Sequence, residues 1–254
     1  MAYWGPAVHR EAPMPEPHRL FLAVSALLFP ACNDRALPPP ADTAALPTQT
    51  LDCAAGFPWL NLPLRVHLIQ STIPSLNATW SEPDVTLALD AANEGWTQAC
   101  IALSLESVVR APLTAEQETA FLQAIADGID GNERQTMQAA MPVGNRLEPG
   151  WNVMVFPTFA PVAPASGLFL FETGDILFAE QTPPGAENPP AVLAHEFGHS
   201  FSLPHYDGDD AASNLMTQSI ALDHPTASDL NPAQVEQARA QAAAGQPTDQ
   251  PPIP

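Results

Sequence analysis

The chain has 254 residues, of which 46% are apolar, and its mean hydropathy is −0.03, so it is long and apolar enough for one packed domain with tails. Thirty prolines, against a usual share of about 5%, point to long irregular connections. The formal charge is −20 and all eight basic residues are Arg, which excludes a basic nucleic-acid-binding stripe or an electrostatic membrane patch and leaves the function to a site.

The first element is an apolar run from Leu20 to Phe29, preceded by His18-Arg19 and followed by Pro30-Ala31-Cys32. It is too short to span a bilayer and fits the core of a signal sequence, residues 1–31, with Met1 or Met14 as its start. A small residue directly before Cys at the end of such a core resembles a bacterial lipoprotein processing site. That resemblance implies Cys32 as the lipidated mature N-terminus and an exported chain touching a membrane only through its anchor. A plain secretory signal would leave the chain secreted instead. Residues 32–64, with Leu37-Pro-Pro-Pro40, read as a proline-rich tether. Cys53 and Cys100 are then an even leftover pair, and export favours a disulfide between them. Asn77-Ala-Thr79 fits a glycosylation acceptor that a bacterial lipoprotein would not use.

The body, residues 65–244, begins with a strand at Arg65–Gln70, in which His67 is read as structural. Ser81-Glu-Pro-Asp84 opens a helix whose apolar face is Val85, Leu89, Ala92 and Trp96. Ile101, Leu103 and Leu105 alternate as a strand, and Thr114 opens a second helix reaching Ile125, closed by Asp127-Gly-Ile-Asp-Gly131. Trp151–Phe156 reads as a buried strand, Gly167–Phe171 with Gly174–Glu180 as a ribbon, Ala191–Phe201 as a helix, and Asn231–Ala243 as a last helix. The order predicts an α/β (α+β) domain with a mixed sheet. Residues 245–254 read as a disordered tail, too proline-rich and polar to pack.

Chemistry concentrates in His195-Glu-Phe-Gly-His-Ser-Phe-Ser-Leu-Pro-His205. His195 and His199, four residues apart on a helix, send both imidazoles off one face, and His205 can turn back after Pro204 as a third ligand. Three neutral nitrogens and an open position suit catalytic Zn²⁺. Glu196 sits beside the first ligand, where it can take a proton from a water without binding the metal. Asp207, Asp209 and Asp210 could hold Ca²⁺ or form a solvated acidic loop.

This motif resembles the metzincins, zinc peptidases whose third ligand follows the helix. Asn214-Leu-Met216 resembles the Met-turn of that family, which implies Met216 as an apolar floor beneath the zinc. Gly174-Asp175-Ile176-Leu177-Phe178-Ala179-Glu180 resembles the edge strand that binds substrate in matrixins, and Trp96, Ile101 and Leu103 resemble that branch's first helix end and second strand. The resemblance implies a five-stranded twisted sheet with an active-site helix and a C-terminal helix. It also implies a monomeric zinc endopeptidase acting on peptide or protein. Two departures stand out. Ser202 occupies a position where the family has glycine at positive φ, and Tyr206-Asp207 after the third histidine does not match matrixins. A non-catalytic zinc-binding domain and a zinc hydrolase of a non-peptide substrate remain open alternatives.

Overall fold

The computed structural model describes residues 53, 56–127, 144–158, 166–182, 186–187, 190–218 and 227–251. The signal-like run, Cys32 and the turn expected at 128–131 lie outside these residues. In chain order the elements are β1 (Leu60–Gln70), α1 (Glu82–Trp96), β2 (Ile101–Pro112), α2 (Ala115–Asp127), β3 (Trp151–Phe156), β4 (Gly167–Leu170), β5 (Asp175–Ala179), β6 (Gln181–Thr182), β7 (Ala186–Glu187), α3 (Pro190–Ser200) and α4 (Pro232–Ala242). Five strands form one sheet in the order β2-β1-β3-β5-β4, with β4 antiparallel to β5 and the other pairs parallel. With α3 and the C-terminal α4 beside it, this is the expected mixed five-stranded fold. Among the described residues no helix is long and apolar enough to cross a membrane.

Local chemistry accounts for the element ends. The backbone N–H of Ser81 donates to Asp84 Oδ2 at 2.7 Å, closing the first turn of α1, and Pro83 lies in that turn. Asn231 and Gln234 cap α4 reciprocally at 3.0 and 2.9 Å, again with proline in the first turn. Asn77 is bound on both sides of its amide by the backbone of Ser71, at 2.8 and 2.9 Å, so the sequon asparagine is a loop brace.

The sheet is covered on both faces, as strands paired in parallel require. On one face Val66, Trp151, Val153, Ile176 and Phe178 meet Trp96 of α1 and Phe197 of α3. On the other, Met154, Phe156, Leu170 and Leu177 meet Phe121 of α2, whose ring stacks on Phe156 at 4.2 Å between centroids. His67 is fully buried, with Nε2 3.1 Å from Asn152 Oδ1, a structural histidine as expected.

Cys53 and Cys100 are joined by a disulfide with their Cα atoms 5.3 Å apart, tying the segment before β1 to the start of β2. The bridge closes a separation of 47 residues, for which loop entropy alone amounts to roughly 4 kcal/mol. A non-reducing peptide map should recover the linked pair, and reduction should lower the denaturation midpoint; two free thiols in the native protein would contradict the bridge.

Three expectations change. Asp175–Ala179 is not an edge strand: β5 lies between β3 and β4, and all five of its residues are fully buried. Hydrogen-bonded on both sides, it has no outward backbone groups for a substrate. Second, the strand expected from Arg65 begins at Leu60, inside the segment read as tether. Third, the start of the tail packs. Thr248 is buried and its N–H donates to the carbonyl of Ser200 at 3.0 Å, while Pro247 lies against Gly174.

Candidate metal centre

The site is built on α3, a helix held on its apolar side by large rings. Trp96 Nε1 donates to the carbonyl of Ala194 at 3.2 Å, and Trp151 Nε1 donates to Ser200 Oγ at 3.0 Å. Phe201, just past the helix, packs edge-on against Trp96 at 4.8 Å. With that side fixed, His195, Glu196 and His199 are carried to the other side.

The helix ends in a Schellman motif. Leu203 N–H bonds to the Gly198 carbonyl and Ser202 N–H to the His199 carbonyl, each at 3.0 Å. Ser202 has φ of 67°, the left-handed conformation foreseen for this position. Its carbonyl accepts from Gln237 Nε2 at 2.5 Å, a tether to α4. Since the turn is made despite the strain of a Cβ, Ser202→Gly should stabilise the protein by about 0.5–1 kcal/mol, read as a higher melting temperature.

This turn aims the ligands. His199 Nδ1 donates to the Leu203 carbonyl at 2.8 Å, and His195 Nδ1 donates to the Leu215 carbonyl at 2.7 Å. Each bond fixes the tautomer and makes Nε2 the acceptor nitrogen of the ring. His199 Nε2 and His205 Nε2 face each other at 3.2 Å, and ligand atoms of all three histidines lie within 4.8 Å of one another. Two nitrogens each bonded at about 2.0–2.1 Å to a tetrahedral ion stand roughly 3.3 Å apart, so the donor set fits zinc. Burial, and then the neighbouring His199, hold His195 well below the ordinary histidine pKa; burial also lowers His205. Both rings are therefore neutral at neutral pH, as ligands must be.

Met216 is buried and packs against α3 at Gly198. A Cβ on Gly198 would overlap the Met216 thioether, so the glycine between the two helical histidines lets the methionine pack against the helix. The turn around Met216 is locked by Asn214, which is buried, accepts from Met216 N–H at 2.9 Å and exchanges two hydrogen bonds with Gln234. Because Leu215 supplies the carbonyl that orients His195, this turn also sets a ligand.

No protein-family model and no curated protein matches the chain. Among solved structures, one described as "Structure of a chaperone-substrate complex" is similar with a TM-score of 0.39 and 13% identity, over 73% of this chain and 35% of that one. The cluster itself has the arrangement of a metzincin-type zinc site.

Glu196 is buried beside the first ligand, and with His199 and His205 it lines a cleft of about 640 Å³. The opposite wall is β4, through Gly167, Leu168 and Phe169. Of the residues expected to bind substrate, Gly174 is instead the positive-φ residue of the β4–β5 turn. Asp175 is buried in an ion pair with Arg146; burial raises its pKa and Arg146 opposes the rise. Ile176, Leu177, Phe178 and Ala179 are core. Asp207 lines the cleft, while Asp210 accepts from the Tyr206 hydroxyl at 2.6 Å. Among the described residues the three aspartates do not converge as a metal-holding group.

Proposed function

We propose that this chain is an exported zinc-dependent endopeptidase, with His195, His199 and His205 holding the metal and Glu196 as the general base. The observation that carries the reading is a buried carboxylate next to three convergent imidazoles, in a cleft walled by the end strand of a sheet. A site for structural zinc has no use for that carboxylate or for the open cleft.

Zinc bound there would supply a Lewis acid and bring the pKa of a water close to neutrality. Glu196 is placed to accept the proton of an attacking water and would return it to the leaving amine. The remaining work is orientation. Among the described residues β4 pairs only with β5, and Ala179 N–H bonds to the Ser166 carbonyl at 3.0 Å. Antiparallel alternation then turns the backbone groups of Gly167 away from β5, on the side of the cleft that Gly167 lines. An extended peptide can pair with those groups whatever its sequence. That requirement favours peptide over a substrate without a backbone.

Cleavage of unfolded casein, abolished by chelator and restored by zinc, tests the reading. A fully zinc-loaded chain without cleavage would point to the binding-domain alternative. Monomeric export with a lipid anchor at Cys32 belongs to the same proposal, supported by the apolar run ending at Ala31-Cys32. Mass spectrometry of the protein purified from its producing cell should find a diacylglyceryl mass on Cys32; a mature chain retaining residues before it would rule out the anchor.

A further inference from the structure

We propose that Gly167 is a positioning residue for Glu196: the first residue of β4 must lack a side chain because the general base lies where that side chain would go. The inference rests on the peptidase reading for its catalytic half and on geometry for the rest. A Cβ built on Gly167 would lie 2.6 Å from Glu196 Cγ, 2.7 Å from its Oε1 and 2.9 Å from its Cδ, all well inside van der Waals contact. The direction follows from strand alternation. Phe169 packs in the core on the α3 side, whereas Leu168 and Leu170 pack on the opposite face. Residue 167 shares the face of Phe169 and points at the helix.

The glycine is not there for its backbone. Gly167 is absent from the positive-φ residues, and it pairs with Phe178 in regular antiparallel register. An alanine would normally be the better strand residue at such a position, since glycine loses more entropy on folding. The space next to Glu196 is what selects against it. Glu196 comes from a helix bonded to Trp96 through the Ala194 carbonyl and to Trp151 of β3 through Ser200, so α3 is held to the sheet and cannot retreat from an added methyl group. The carboxylate arm has to swing instead. A general base displaced by an ångström from the proton it must take loses much of its advantage, while the three histidines, bound to other partners, stay in place.

The test is a cycle of four proteins purified in the same mature form: wild type, Gly167→Ala, Glu196→Ala and the double variant. Melting temperatures read the contact independently of catalysis. Gly167→Ala should lower the melting temperature by roughly 3–8 °C when residue 196 is Glu, and leave it level or raise it when residue 196 is Ala. Equal shifts in both backgrounds would overturn the proposal, as would failure of both Gly167→Ala proteins to fold. Folding of the double variant alone would support it. In the peptidase assay Gly167→Ala should lose at least tenfold in kcat with KM little changed and zinc near stoichiometric. Unchanged kcat in an active series would end the positioning role while leaving the peptidase reading intact. If wild type cleaves nothing, that reading fails while the melting cycle still decides the contact.

Discussion

Glu196→Gln should keep zinc near stoichiometric while turnover falls by a factor of roughly 10²–10⁴, the usual share of general acid–base catalysis. Gln has the same length and planar end as Glu, so it fits the space between α3 and Gly167 that a bulkier group would overfill. The three nitrogens that converge on the metal position belong to His195, His199 and His205, and two of those rings are oriented by backbone carbonyls. None of these contacts depends on the charge at residue 196. What Gln cannot do is accept the proton of the attacking water. Metal content by plasma emission, run beside casein hydrolysis, separates the two effects. Loss of zinc would make Glu196 a ligand. Full zinc with full activity would remove its role as base.

The metal helix was legible because its information is local. A four-residue spacing on a helix fixes two ligands, and Pro204 marks where the chain turns for the third. α1 and α4 were legible for a similar reason: caps and prolines write helix starts into three or four adjacent residues. The partners that aim the ligands were not. Leu203 and Leu215 act through their carbonyls, which every residue possesses, so no side chain announces them.

The edge strand was misplaced for a different reason. Gly167–Phe171 and Gly174–Glu180 are adjacent apolar runs, and either could end the sheet. The order β3-β5-β4 depends on pairing across the fold, to which local pattern is blind. A signal was nevertheless present: a continuous apolar run from Ile176 to Ala179 suits a strand buried on both faces better than an edge. Gly198 and Gly167 were passed over as well. Their meaning lies in what stands opposite, the Met216 thioether and the Glu196 arm, and only the assembled fold supplies that. The tail was misread on composition. Proline and polar residues give it no periodic face, yet Thr248 and Pro247 find single partners in Ser200 and Gly174.

His205→Ala should fail differently from Glu196→Gln, losing zinc and activity together. His205 is the most exposed of the three histidines and comes from the chain after α3 rather than from the helix. Its Nε2 stands 3.2 Å from His199 Nε2, so its removal leaves two helical nitrogens and an unfilled side of the shell. Losing a hydrogen-bond partner behind a ligand typically costs 10–100-fold in metal affinity; losing the ligand itself should cost more than about 100-fold. The helix should survive, because α3 is held by Trp96, Trp151 and Phe201 rather than by His205. Circular dichroism should therefore be close to wild type at neutral pH, with zinc titrating in only at much higher free concentration. High zinc should restore occupancy before it restores turnover, since a two-nitrogen site places the water and the Glu196 carboxylate less well. If His205→Ala binds zinc as tightly as wild type, the third ligand is another residue and the metzincin-type assignment of this cluster is wrong.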